Sequence, residues 1–165
     1  MVSRILYEIR EEETEMLNNI SKLLTGDILK VLCDMGHSDT LVLADGNFPA
    51  EAYAKETVVG HVIHCPGVCT NALLEALLPL FPLDVEYTDE PVVVMELTEG
   101  DRQRGVPTPA VWKDFENTIS TEYVGITLGK LGRQEFYEAS KKAYAIIQTG
   151  EEQQYGNLLL AKGYL

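Results

Sequence analysis

Five short strand-like runs, separated by segments with helical spacing, restrict this chain more than any other feature. They are Leu41-Val42-Leu43-Ala44, Val58 to Ile63, Val92-Val93-Val94-Met95, Tyr123 to Leu128 and Asn157 to Leu160. Continuous apolar runs of this length, bounded by turn residues such as Asp45-Gly46 and Pro66-Gly67, suit strands buried on both faces. Between them, apolar residues recur at three- and four-residue intervals. Thr25 or Asp27 can cap a helix that buries Ile28, Leu29, Leu32, Cys33 and Met35 and stops at Gly36. Thr70 caps a second helix, to Leu78, with Leu73, Leu74, Leu77 and Leu78 on its inner side. A third covers Ala110 to Ile119. A fourth is predicted over 134–148, with Phe136, Ser140, Ala143, Tyr144 and Ile147 on one face and Gly150 as its stop. Alternating strands and helices predict an α/β fold: one domain with a mainly parallel sheet covered by helices.

A length of 165 residues gives one domain with a sizeable core. No apolar run reaches the roughly 20 residues of a membrane span, and Ala72 to Phe81 is broken by Glu75 and Pro79. The formal net charge is −13, which repels phosphate backbones and anionic lipid. Neither nucleic acid nor a membrane is therefore an expected partner, while a neutral small molecule is. Cys33, Cys65 and Cys69 lack disulfide-framework spacing and predict reduced thiols in the cytoplasm. Residues 1–15 are glutamate-rich where a signal peptide would be basic and then apolar, so they read as an N-terminal extension to a domain at 16–165. There is no internal repeat.

Four segments place polar residues where the core pattern breaks: Met35-Gly36-His37-Ser38-Asp39, Asp45-Gly46-Asn47-Phe48-Pro49, Arg133 with Phe136-Tyr137, and Tyr155-Gly156-Asn157. Each falls at an element boundary, where α/β folds carry their sites. In this order, with "LLTGDILKVLCDMGH", "LVLADGNFPA", "LLPLFPLD" and "FYEASKKAYAIIQTGEEQQYGNLLLAKG", they resemble the family of L-fucose mutarotase and D-ribose pyranase. The resemblance covers the chain from Met16 onward, and the arginine before "FYE" and the "YGN" ending look more like the fucose branch. Ser38 stands where the family usually has glycine, and Gly46 where it usually has alanine. The resemblance implies a cofactor-free, metal-free enzyme interconverting the α and β anomers of L-fucopyranose. It also implies a ring-like homo-oligomer, typically a decamer, with His37 as the catalytic proton-transfer residue. Asp45, Arg133, Tyr155, Gly156 and Asn157 would bind the monosaccharide.

The side chains suit that chemistry. Opening a pyranose moves one proton off the anomeric hydroxyl and another onto the ring oxygen, and histidine does either near neutral pH. Aspartate accepts from sugar hydroxyls, while arginine donates in a fixed fork. Tyr155 and Asn157 would share one face of an extended segment, and Gly156 would permit close backbone approach. Plainer roles fit the same residues. His37 also suits the C-terminal cap of the preceding helix; Asp45-Gly46 also suits a plain turn; Phe136 and Tyr137 read as core. His61, His64, Cys65 and Cys69 are zinc-ligand types at poor spacing, and packing is the expected use. If residues 40–45 form a full strand, rising roughly 3.3 Å per residue, His37 and Asp45 lie near opposite ends, about 16 Å apart. A shorter strand, a folded-back connection or a site shared between subunits would reconcile them.

Overall fold

The computed structural model describes residues 17–165; the extension expected at 1–15 lies outside the described residues. In chain order the elements are α1 (Gly26–Asp34), β1 (Thr40–Ala44), α2 (Ala50–Ala54), β2 (Val62–Cys65), α3 (Thr70–Leu77) and a 3-10 turn at Leu78–Leu80. They continue with β3 (Val92–Met95), α4 (Glu99–Gln103), α5 (Ala110–Glu122), β4 (Gly129–Leu131), α6 (Arg133–Lys141), β5 (Ala145–Thr149) and β6 (Leu158–Ala161). The Thr25 cap forms as read, its hydroxyl accepting from Ile28 N–H at 3.4 Å.

The six strands make one sheet in the order β2-β5-β1-β6-β3-β4. β1 pairs in parallel with β5, β5 with β2, and β3 with β4, whereas β6 runs antiparallel to both β1 and β3. The sheet is thus mixed: β6 alone opposes the other strands. The helices pack against it as two pairs, α3 with α5 and α2 with α6. Covered on both faces, β3 is buried throughout, and β1 from Leu41 onward. Phe81, Phe115, Phe136, Leu41, Leu43, Leu73 and Leu74 are almost wholly inaccessible and form the heart of the core.

Two expectations are corrected. The helix read over 134–148 ends at Lys141, and Ala145–Thr149 is β5, between β1 and β2. The chain turns over three residues, and Tyr144 N–H donates to Thr40 O at 2.8 Å as it enters the sheet. Ile146 and Ile147 are β-branched and suit the strand, but the short turn let the helical spacing run on unbroken. Likewise, Tyr123 to Leu128 is not a strand. Tyr123 caps α5, Val124 is exposed, and the edge strand is the following Gly129–Leu131, too short and polar to signal itself. The strand expected at Val58 to Ile63 begins later, at Val62.

His37 does not cap α1. Its C-terminal carbonyls are taken by Lys162, whose Nζ donates to Leu32 O at 2.7 Å and to Met35 O. Ser38 has φ +68°, a left-handed conformation that accounts for a glycine preference at that position.

Candidate functional site

Because β6 is reversed, its start lies at the sheet edge where β1 and β3 end. That edge collects a cleft of about 330 Å³ lined by Asp45, Asn47, Phe48, Met95, Asp101, Arg104, Arg133, Tyr137, Gln154, Tyr155 and Asn157. Its size is at the small end for ligand clefts, roughly 300–1,000 Å³, and suits one sugar ring better than a nucleotide. Carboxyl ends of strands beside a change of strand direction are where open α/β sheets bind ligands.

Asp45 follows β1 directly and is 3% exposed. Asn157 holds it twice: its Oδ1 accepts from Asp45 N–H at 2.7 Å, and its Nδ2 donates to Asp45 Oδ2 at 2.9 Å. Asn47 N–H donates to Asp45 Oδ1 at 3.0 Å. Burial raises the Asp45 pKa above its ordinary value, against the backbone N–H groups of Asn47, Gly156 and Phe48 and the Asn157 amide, which lower it. Gly156 does not line the cleft. A Cβ there would stand 2.6 Å from Glu151 Cγ, so the glycine lets this turn close over Glu151 while its N–H supports Asp45.

Tyr155 and Asn157 both reach the cleft, but not by strand alternation. Tyr155 sits in a turn at φ +64°, with its carbonyl accepting from Trp112 Nε1–H at 2.9 Å. Its phenol oxygen ties this turn to α4 and α6. It donates to Asp101 and accepts from Arg133 Nη2 at 3.3 Å and Thr98 N–H at 3.4 Å. Asp101 also pairs with Arg104 and accepts from the Thr98 hydroxyl at 2.6 Å. Hydrogen bonds from Thr98 and Tyr155, with the Arg104 charge, hold the Asp101 carboxyl at about 2 against the ordinary 3.8. Arg133, the first residue of α6, projects its guanidinium to Tyr155.

Sequence reading missed Asp101 and Arg104, and left out Tyr137. One signal was present: Thr98 and Asp101 have the spacing of a helix cap and its reciprocal acid, and Thr98 does cap α4. Nothing in the sequence aims that turn at Tyr155. Tyr137 is half-buried, edge-on to Phe48 at 5.6 Å between ring centres, and burial raises its phenol pKa. Phe136 is fully buried, as expected.

His37 is absent from this cleft. It lies before the opposite end of β1, where Nε2–H donates to Asp84 Oδ2 at 3.2 Å. Since β1 is a full five-residue strand, neither a shorter strand nor a fold-back reunites His37 with Asp45 in one chain. His61 and His64 do not join Cys65 and Cys69 in a cluster: His61 bonds to Val59 O at 3.1 Å, and His64 pairs with Glu51 at 3.4 Å. Among the described residues no group of three or more His, Cys, Asp or Glu side chains is arranged to hold a metal ion, and no helix is long and apolar enough to cross a membrane. The three cysteines are free thiols.

The model of the RbsD / FucU transport protein family matches residues 18–165. The chain belongs to that family. It is 43% identical over 149 residues to the fucose mutarotase of Mus musculus, covering 90% of this chain and 95% of that one. To the L-fucose mutarotase of Histophilus somni (strain 2336) it is 38% identical, covering 90% and 96%. The crystal structure of the fucose mutarotase from Streptococcus pneumoniae in complex with L-fucose superposes with a TM-score of 0.80. It is 39% identical and covers 90% of this chain and 99% of that one. RbsD / FucU members of this kind share the single α/β domain with a mixed sheet flanked by helices.

Proposed function

We propose that the protein is a fucose mutarotase, an isomerase that speeds exchange between the α and β anomers of L-fucopyranose. The observation that carries this is the cleft where Asp45, Asn157, Tyr155 and Arg133 converge. Two carboxylates, Asp45 and Asp101, face two guanidiniums, Arg104 and Arg133, so the lining has no net formal charge. A neutral polyol matches such a lining, because each hydroxyl both donates and accepts. Phe48, Met95 and Tyr137 add an apolar wall for the C–H face of the ring. Asp45 is held in place before substrate arrives by the Asn47 N–H and the Asn157 amide, so its carboxylate meets a sugar hydroxyl in a fixed orientation.

In this reading Asp45, Arg133, Tyr155 and Asn157 hold the pyranose, and Gly156 acts through Asp45. His37 comes from a second copy of the chain, which favours a ring-like homo-oligomer of the decameric kind. Exposed Val85, Tyr87, Tyr164 and Leu165 around His37 supply apolar surface for that contact. As the ring opens, the anomeric hydroxyl gives its proton to the imidazole, the C1–O5 pair leaves with O5, and solvent protonates O5. Closure on the other face of the aldehyde reverses each transfer. The reaction is redox-neutral and needs no cofactor. The free thiols fit a cytoplasmic setting.

NMR saturation transfer on L-fucose, D-ribose and D-galactose tests the activity. Faster anomer exchange of L-fucose is expected. Acceleration confined to D-ribose pyranose–furanose exchange would place the protein on the RbsD side of the family, and buffer rates for all three sugars would refute the enzyme.

A further inference from the structure

Among the described residues, Arg102 pairs with Glu96 and Arg104 with Asp101, whereas the Arg133 guanidinium meets no carboxylate directly. Arg133 also opens α6, the helix end that favours anions over cations. What holds it is one hydrogen bond, from Nη2 to the Tyr155 phenol oxygen at 3.3 Å. That oxygen is prepared for it. A hydroxyl has one hydrogen and two lone pairs. Tyr155 gives the hydrogen to Asp101 and one lone pair to the Thr98 N–H at 3.4 Å, and Arg133 takes the other. Asp101 is 6% exposed and fixed along its whole length. Its N–H donates to Thr98 Oγ1 at 3.2 Å, its carbonyl accepts from Val106 N–H at 3.0 Å, and its Oδ2 accepts from the Thr98 hydroxyl at 2.6 Å. The main chain of Tyr155 is held in turn by Trp112 Nε1–H, at 2.9 Å from its carbonyl. With its carboxyl at about 2, Asp101 is ionised throughout the neutral range.

A carboxylate accepts and cannot donate, so the Tyr155 hydrogen points at Asp101 and not at the guanidinium. The negative charge behind that hydrogen also makes the phenol oxygen a stronger acceptor. Arg104 shares the Asp101 carboxylate, but its side chain is 71% exposed and solvent screens the pair. We propose that Asp101 is a positioning residue for the sugar site, acting through the Tyr155 hydroxyl as the counter-ion of Arg133, one phenol removed, and so aiming the guanidinium at the pyranose. This rests on the reading of Arg133 as a sugar-binding residue. The bond to Tyr155 uses one of five guanidinium N–H groups and leaves the rest for sugar hydroxyls. Because the fork is rigid and planar, a guanidinium that swings off Tyr155 carries all of those donors with it. No bond or proton changes hands in this role. Loss of the Asp101 charge therefore weakens sugar binding and spares the chemical step.

Anomer-exchange kinetics of Asp101→Asn, Tyr155→Phe, Arg133→Ala and the Asp101→Asn/Arg133→Ala double variant, with crystal structures of wild type and Asp101→Asn, test this. Asparagine keeps the shape and an acceptor oxygen but loses the charge. KM for L-fucose is expected to rise about five- to tenfold in Asp101→Asn and in Tyr155→Phe, with kcat within about twofold. On the Arg133→Ala background the Asp101 substitution should change KM by less than about twofold, because the group it aims is gone. In the crystals the guanidinium should rest on the phenol in wild type and leave it in Asp101→Asn. A role in folding alone predicts the same factor on KM with and without Arg133. That additive result would overturn the proposal, as would a guanidinium that lies off Tyr155 in wild type or stays on it in Asp101→Asn. Should Asp101→Asn misfold, Tyr155→Phe cuts the same connection, and a wild-type KM there would be equally fatal. A wild type that leaves exchange at the buffer rate would instead refute the activity, and the crystals would still report the guanidinium.

Discussion

At Tyr155 one phenol oxygen carries three hydrogen bonds, to Asp101, Arg133 and the Thr98 N–H, which is the full capacity of a hydroxyl. The two carboxylates of the cleft respond to pH in opposite senses. Asp101, held at about 2 against 3.8, loses its proton more readily folded than unfolded, so its contribution to stability is present above pH about 4 and vanishes as pH falls to about 2. Asp45 is raised by burial, so it costs stability as pH rises through the carboxylate range. Asp101→Asn is expected to flatten the dependence of Tm on pH between about 4 and about 2, measured by scanning calorimetry. A wild-type slope in that variant would show that the Thr98–Asp101–Tyr155 bonds contribute nothing in solution.

Among the elements, α1 ends without a basic residue or a capping glycine of its own, and the cation that satisfies its carbonyls arrives from the residue after β6. Lys162→Met keeps the alkyl stem and removes the donors. We expect a loss of about 1–2 kcal/mol in chemical denaturation, with faster hydrogen exchange at the end of α1. An unchanged unfolding midpoint would mean that water replaces the ammonium at no cost. Most elements were legible because their periodicity or caps are local: Thr25, β1, β3 and the α3 leucines all stand where the sequence puts them. β5 was not, because Phe136 to Ile147 satisfies a helical period, and the decision to turn at Lys142 is made by the vacancy between β1 and β2. α4 escaped notice because five residues give too little pattern.

At the scale of the whole molecule, the reversed β6 brings Asn157 and Tyr155 beside Asp45, and the length of β1 sends His37 to the far edge. If the site is shared between copies, two inactive variants can complement. Co-expressed His37→Ala and Arg133→Ala chains are expected to recover activity in about one site in four, since random assembly unites the two intact faces that often. Mixed rings with no recovered exchange, verified as mixed by mass spectrometry, would place His37 outside the reaction.

The sequence alone determined the α/β class, the Thr25 cap and the identity of Asp45, Arg133, Tyr155 and Asn157 as cleft residues, since each rests on spacing, local hydrogen bonding or family resemblance. Only the tertiary structure decided that β6 is antiparallel, that residues 145–149 are a strand, that Asp101 and Arg104 hold Tyr155, and that His37 belongs to Asp84. The reason is physical: caps and periods are settled within a turn or two of chain, whereas strand direction and paired charges depend on which distant segments leave unburied apolar surface and unsatisfied donors for each other.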